Sequence, residues 1–197
     1  MKSKNLFFRT SVFSAAALAL AGWLSPAQAQ DEGSDFGGVY VGGEVGYSRV
    51  DDNNVFVGNT GGVYYGGFFG VRGQSNGGFV YGVEGFAGSA SNSTTVTVGN
   101  VVANLDIGRV LGVDGIIGFA ASDRVLIFAH GGYINAKVTA STNTPPMAVS
   151  ASEGGWRAGG GIEVKLKNNV HGRAKISYGD IENIDILSAT GGILIIF

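Results

Sequence analysis

Cysteine is absent from the 197-residue chain, and proline occurs only three times. Without cysteine the protein can form neither a disulfide nor a thiolate metal site. Charged residues make up 14% of the chain, well below the ~25% typical of soluble domains. The 13 basic residues do not exceed the 15 acidic ones, so nothing in the charge suggests a nucleic-acid partner.

Glycine is abundant, with 35 residues, and 45% of the chain is hydrophobic. The glycines show no Gly-X-Y period, which excludes a collagen-like structure. The share of apolar residues, with 11% aromatic, excludes a disordered chain. One globular domain is therefore the expectation for this length.

The first 29 residues have the three-part pattern of a secretory signal peptide. Lys2, Lys4 and Arg9 form a basic start, an apolar run covers residues 12–24, and Ala27-Gln28-Ala29 supplies a cleavage site. The run is shorter than the about 20 residues that a membrane helix needs, which disfavours a membrane anchor. Cleavage after Ala29 leaves residues 30–197, with ten basic and fifteen acidic residues and a net charge of −5.

Beyond the signal peptide, apolar residues recur with a period of two, which is the pattern of β-strands. No other apolar run could form a membrane helix, so the mature chain could enter a membrane only as a closed barrel. Each segment has roughly the 9–11 residues that a tilted membrane strand needs. The eight segments are 39–47, 63–72, 79–88, 110–119, 124–138, 156–165, 170–178 and 187–197.

The fifth segment does not keep one phase. His130, Asn135 and Lys137 change parity across Gly131-Gly132. Because bulges favour glycine and shift the phase by one residue, we expect a bulge at this glycine pair. Such a bulge would place the three polar side chains on one face.

The connections alternate between short and long. Short ones cover residues 73–78, 121–123 and 167–169; longer, polar ones cover 51–61, 89–100, 140–155 and 180–185. This arrangement predicts an all-β fold, an eight-stranded antiparallel transmembrane β-barrel of up-and-down topology, in the bacterial outer membrane. The long connections would face the outside of the cell, and both termini the periplasm.

Alternation alone does not say which face is inside, since a secreted soluble β-domain would show it too. Three features favour the barrel. The charged face also carries most strand glycines, which a narrow interior needs, and no second layer is available to cover the apolar face. Aromatic residues on the apolar face lie near segment ends, as in interfacial girdles. They are Tyr47, Tyr65, Phe79, Tyr81, Phe119, Trp156, Tyr178 and Phe197.

The inward face carries charges of both signs, which should pair in a narrow interior because an unpaired buried charge is costly. We therefore expect a structural ion-pair network. The alternative is a constricted pore whose wall charges tune the passage of ions or solutes. The predicted inward charges are Glu44, Arg72, Glu84, Asp114, Lys137, Arg157, Glu163, Lys165, Arg173 and Lys175.

The sequence contains few residue patterns that are typical of an enzyme active site. A barrel enzyme that modifies lipid A would need a histidine, a serine and a carboxylate at the lipid-facing rim, whereas His130 and His171 fall on the inward face. No metal-ligand cluster or phosphate-binding loop stands out. The sequence therefore predicts no enzyme activity, cofactor or metal, and a lipid-modifying enzyme remains the more distant alternative.

Several glycine-rich motifs resemble the small porin-like, opacity-protein-like outer-membrane surface antigens of alphaproteobacteria such as rhizobia and brucellae. The motifs are Gly37-Gly38-Val39-Tyr40-Val41-Gly42-Gly43, Tyr81-Gly82-Val83-Glu84-Gly85, Asp123-Arg124-Val125-Leu126 and Gly159-Gly160-Gly161-Ile162-Glu163. The resemblance implies a monomeric barrel in outer-membrane lipid, with loops exposed to the environment. It also implies that Phe197, as a terminal aromatic, is recognised by the barrel-assembly machinery. The chain departs from the family pattern at Asp114, Ile116 and His171.

Overall fold

The structure, a computed structural model, describes residues 35–52, 60–98, 101–143, 146–181 and 184–197. The predicted signal peptide, residues 1–29, lies outside the described residues. Among the described residues, no helix is long and apolar enough to span a membrane. The eight strands are β1 (Gly38–Asp52), β2 (Thr60–Gln74), β3 (Phe79–Val98), β4 (Val101–Ser122), β5 (Val125–Asn143), β6 (Pro146–Lys167), β7 (Val170–Ile181) and β8 (Ile184–Ile196).

The strands form a closed barrel in chain order. Each strand pairs antiparallel with its neighbour in sequence, and β8 returns to pair with β1. This closing register runs from Tyr40 opposite Ile196 to Asp52 opposite Ile184. Closure leaves no strand edge with unpaired backbone groups. The predicted eight-stranded, up-and-down barrel is therefore confirmed.

Three tight connections lie at one end of the barrel, which we call the turn end. They join β2 to β3, β4 to β5 and β6 to β7, as the short segments predicted. In the first turn, the backbone N–H of Ser75 donates to the carbonyl of Phe79 at 2.8 Å, and Gly78 adopts a φ of +80°. Only glycine adopts a positive φ of this size at no steric cost. The opposite end is the loop end.

The loop end differs from the prediction at the connection 180–185, which β7 and β8 shorten to residues 182–183, and more strongly at two others. The segments 89–100 and 140–155 were predicted as loops, but β3 continues to Val98, β4 begins at Val101, β5 continues to Asn143 and β6 begins at Pro146. Two long antiparallel hairpins therefore extend the barrel. Valine and threonine alternate in the first of them, and this β-branched pattern favours strand over loop when a partner strand is present.

The apolar face points outward around the barrel, as predicted from seven of the eight segments. Val45, Phe69, Ile117 and Ile176 are more than half exposed. A continuous outward apolar surface with no protein cover suits lipid. All eight predicted girdle aromatics are exposed, and Trp156 and Tyr178 lie with ring centroids 5.8 Å apart near the loop end.

The prediction for the fifth segment is wrong. Strand β5 pairs without interruption across Gly131-Gly132 with both neighbours. The irregularities lie in β4 instead, where the register with β5 shifts between Ile107 and Val110 and again between Ala120 and Ser122. Consequently His130 is buried in the lumen, whereas Lys137 points outward and is exposed.

Candidate functional site

The lumen holds most of the predicted charges, so we treat it as the candidate site. Eight of the ten predicted inward charges are buried there, far more than charged residues usually are. They come from β1, β2, β3, β4, β6 and β7, and each lies on the parity opposite the apolar face. The eight are Glu44, Arg72, Glu84, Asp114, Arg157, Glu163, Arg173 and Lys175.

The two remaining charges lie elsewhere. Lys137 lies on the outward face of β5, four residues beyond the exposed Tyr133 towards the loop end. A lysine at that position can keep its ammonium in water above the apolar belt. Lys165 lies at the turn-end mouth, where its side chain is 28% exposed and pairs with Asp35. Lys137 therefore does not line the lumen, which corrects the prediction, whereas Lys165 has the inward parity of Arg157 and Glu163 and lies at the mouth of the lumen.

Most of the buried charges form one connected set, the central network, which consists of Glu44, Arg72, Glu84, Glu163, Arg173 and Lys175. Arg72 donates two hydrogen bonds to Glu163, from Nη1 at 2.9 Å and from Nη2 at 2.5 Å. Arg173 bridges Glu163, at 3.1 Å, and Glu84. Lys175 Nζ lies 3.0 Å from Glu44 and 3.8 Å from Glu84. The network therefore contains three carboxylates and three cations, a neutral set.

Aromatic rings surround the central network. The Tyr40 hydroxyl donates to Glu84 at 2.9 Å. The guanidinium carbon of Arg173 lies 4.6 Å from the ring centroid of Phe68, and that of Arg72 lies 4.7 Å from the ring of Tyr40. These are cation–π distances, and such contacts are strongest when the cation is desolvated, as it is here.

A second set, the Asp114 cluster, consists of Asp114, His130, Arg157 and Ser177. Arg157 donates to both oxygens of Asp114, from Nε at 3.0 Å. His130 Nδ1 lies 3.0 Å from Asp114 Oδ2, and His130 Nε2 lies 3.0 Å from Ser177 Oγ. The negative charge of Asp114 is balanced by the positive charge of Arg157. The linear order of serine, imidazole and carboxylate is the order found in serine hydrolases.

The contact between His130 and Ser177 depends on the glycine between them. His130, Gly159 and Ser177 are direct neighbours across β5, β6 and β7. A Cβ at position 159 would lie 2.7 Å from His130 Nε2 and 2.8 Å from Ser177 Cα. Only glycine therefore lets the two side chains meet over the middle strand.

The turn end of the lumen is closed by a residue that sequence analysis missed. Phe36 is fully buried, and its ring packs edge-on against His171 with centroids 5.4 Å apart. Its backbone N–H donates to the side-chain oxygen of Gln74 at 2.9 Å. Phe36 lies before the first strand, where no periodicity marks it. The ion pair between Asp35 and Lys165 holds the same segment against the mouth.

The loop-end half of the lumen contains a cavity of about 60 Å³ to which all eight strands contribute. By volume it has room for roughly four to six water molecules. Glu44, Arg157 and Lys175 line it near the centre of the barrel. The other lining residues are Ser48, Tyr64, Ala90, Val110, Ile134, Ala136, Ser177, Ile186, Ser188 and Thr190.

A metal ion would need several carboxylates or imidazoles close together. In the parts of the chain that the structure describes, no three His, Asp or Glu side chains are grouped to hold a metal ion. Each lumenal carboxylate instead contacts arginine, lysine or histidine. The chemistry that the lumen offers is therefore charge pairing and hydrogen-bond donation.

Comparison with known structures supports the same architecture. The attachment invasion locus protein Ail of Yersinia pestis is 16% identical, covering 82% of this chain and 99% of that one, with a TM-score of 0.57. Neisserial surface protein A is 14% identical, covering 81% and 97%, with a TM-score of 0.58. At such identities the likeness shows the fold. Comparison with curated protein sequences finds no match.

A family model for the outer membrane protein beta-barrel domain matches residues 13–195, nearly the whole chain. The match agrees with the closed eight-stranded barrel and with its outward apolar belt. The chain therefore belongs to the outer membrane protein β-barrel domain family, and it is a protein of the bacterial outer membrane.

Proposed function

We propose that the protein is a closed, non-catalytic barrel that serves the envelope structurally and meets the environment through its loop end. The observation that carries this proposal is the filling of the lumen: Phe36 closes the turn end, and the central network occupies the middle. A filled interior is expected for an eight-stranded barrel. The principal alternative is a small ion- or solute-conducting pore.

The absence of catalysis is part of the proposal. Although Ser177, His130 and Asp114 are aligned, they lie inside the barrel, away from the outward surface where lipid substrates would lie. Asp114 is also neutralised by Arg157. Backbone N–H groups in a closed sheet are used in strand pairing, so they cannot form the paired donors that stabilise an oxyanion.

We propose the following partners: outer-membrane lipid around the apolar belt, and the barrel-assembly machinery, which would recognise the C-terminal strand through Phe197. Phe197 is exposed on the outward face, and its backbone N–H donates to Val39 at 2.8 Å. A monomer is expected, because the barrel closes on itself. The glycine-rich motifs support kinship with the alphaproteobacterial surface antigens.

Single-channel recording in planar bilayers tests the closed barrel against the pore. We expect no conductance steps from the wild-type protein at high protein load. Replacement of Phe36 by Ala should remove the seal at the turn end while the central network still blocks the lumen, so the bilayer should stay silent. Steady channels from the wild type, altered by Arg173→Ala, would establish the pore instead.

A further inference from the structure

The loop-end cavity is lined by hydrogen-bond donors that the protein itself does not saturate. The Tyr64 hydroxyl and the Lys175 ammonium are buried, line the cavity and make no well-directed hydrogen bond to the described residues. Arg157 uses Nε and Nη2 on Asp114, so Nη1 is the nitrogen that it can offer to a ligand. Buried polar groups nearly always have partners. Lys175 faces Glu44 with only part of its ammonium group, so all three residues keep N–H or O–H groups that an acceptor in the cavity could engage.

The nearby carboxylates are already engaged. Both oxygens of Asp114 accept hydrogen bonds from Arg157, one of them also contacts His130, and Asp114 does not line the cavity. Glu44 Oε2 lies 3.0 Å from Lys175 and accepts a hydrogen bond from Thr190 at 3.3 Å. Arg157 is balanced by Asp114 and Lys175 by Glu44, so the charges around the cavity cancel. Hydrogen-bond donors are nevertheless in excess on the cavity wall. A carboxylate can accept hydrogen bonds from several donors at once, which favours a ligand that carries one.

The remaining walls are largely apolar. Ala90, Val110, Ile134, Ala136 and Ile186 line the cavity above the charged residues. A bare inorganic ion would leave these walls in contact with water. Ligand sites in proteins typically combine an apolar lining with a few convergent polar groups, and such a site suits a ligand with an apolar part.

We propose that the loop-end cavity is a binding site for a small organic anion with one apolar group. The anionic group would accept hydrogen bonds from Arg157, Lys175 and Tyr64, and the apolar group would pack against Ile134 and Ile186. Because Phe36 closes the turn end, the site is a dead end that retains its ligand rather than passing it. Ligand binding would be a function in addition to the structural role proposed above.

Propionate is a suitable probe because its small size matches a cavity of about 60 Å³, with propionamide as its neutral counterpart of the same shape and propylammonium as the cation. Binding is measured by calorimetry on the full mature chain in lipid nanodiscs. We expect propionate to bind with a dissociation constant of roughly 1 mM or tighter. Propionamide and propylammonium should bind at least about tenfold more weakly, since a charged hydrogen bond accounts for that difference. Equal binding of propionate and propionamide, or no propionate binding, would overturn the proposal.

Three variants locate the site without breaking an ion pair. Tyr64→Phe removes one donor and should weaken propionate binding about tenfold. Ala136→Leu should abolish binding because it fills the cavity, whereas Ala129→Leu, the same change on the outward face of β5, should leave it unchanged. Heat-modifiable migration on gels checks that each variant folds. Propionate binding that survives Ala136→Leu would place the ligand elsewhere and overturn the proposal, whatever the bilayer recordings show.

Discussion

Arg72 and Glu163 meet inside the barrel through two parallel hydrogen bonds, Nη1 to Oε2 at 2.9 Å and Nη2 to Oε1 at 2.5 Å. They are 91 residues apart, on β2 and β6, which are four strands apart in a barrel of eight. The pair therefore joins opposite walls. Both side chains are fully buried, so each charge depends on the other for compensation.

Replacement of Glu163 by Gln should strongly destabilise the barrel. Arg72, Arg173 and His171 all contact Glu163, and its loss leaves two buried guanidinium groups with less compensation. We expect a loss of about 3–5 kcal/mol in the free energy of unfolding. Urea unfolding in lipid vesicles measures it. Asp123→Asn, in an exposed turn, should change stability by less than about 0.5 kcal/mol. Equal midpoints for the two variants would show that the network contributes nothing.

Replacement of Gly159 by Ala should disturb the Asp114 cluster. The new methyl group would lie 2.1 Å from the carbonyl oxygen of Ile176 and 2.7 Å from His130 Nε2, and crowding of this kind costs about 1–3 kcal/mol. The imidazole signals of His130 in NMR spectra should also shift as its contact with Ser177 breaks. Gly131→Ala is the matched control, because a Cβ there meets nothing closer than 3.6 Å. An unchanged His130 spectrum in Gly159→Ala would contradict the role given to this glycine.

An arginine in the outward belt tests the orientation of the strands. Val83 points outward in the middle of the predicted membrane segment 79–88, so Val83→Arg places a charge in the lipid. We expect a loss of about 2–4 kcal/mol on unfolding from lipid vesicles. Ser91→Arg, exposed nearer the loop end of the same strand, should cost about 1 kcal/mol or less. Similar losses for both variants would mean that the belt does not face lipid.

Single cysteines test the corrected placement of Lys137, since the natural chain has no cysteine to interfere. Lys137 is exposed on the outward face, whereas its neighbour Ala136 is buried in the lumen. With a bulky maleimide, Lys137→Cys should react roughly tenfold or more faster than Ala136→Cys, because reactivity follows exposure. Faster labelling at position 136 would restore the predicted bulge at Gly131-Gly132.

A fluorophosphonate probe tests the absence of catalysis. Such probes bond covalently to serines that an adjacent base activates, and Ser177 is the serine hydrogen-bonded to His130. We expect no labelling of the folded protein, because Arg157 neutralises Asp114 and strand pairing consumes the nearby backbone N–H groups. Labelling that disappears in Ser177→Ala would show an active hydrolase and would refute the proposed absence of catalysis.

The sequence predicts the strands and their faces well because both follow from a local period of two. The parity of Glu44, Glu84 and Arg173 could be read directly from their neighbours. In β5 the same rule assigned Asn135 and Lys137 to the wrong face, because it assumed that polar residues point inward. Asn135 instead lies on the outward surface, where its side chain donates a hydrogen bond to the carbonyl of Glu153 at 3.1 Å. Near the loop end a polar outward residue is no longer a sign of a shifted register.

Pairing partners could not be predicted from the sequence. Whether Glu163 meets Arg72 or a nearer base depends on the stagger of all eight strands, which no local pattern encodes. Phe36 was missed for a related reason: a single residue that precedes the first strand is not part of any periodic pattern. The donors around the cavity were likewise visible only after Tyr64, Arg157 and Lys175 had been brought together by three separate strands.

Inside the barrel, large side chains on one strand lie beside glycines on the adjacent strand. A Cβ at Gly112 would collide with the Phe86 ring, and one at Gly159 with His130. A Cβ at these positions would also meet a backbone carbonyl, Tyr133 O at 2.4 Å or Ile176 O at 2.1 Å, which a smaller side chain on the neighbouring strand would not remove. Relatives should therefore retain glycine at both positions, while the lipid-facing surface is free to change one residue at a time.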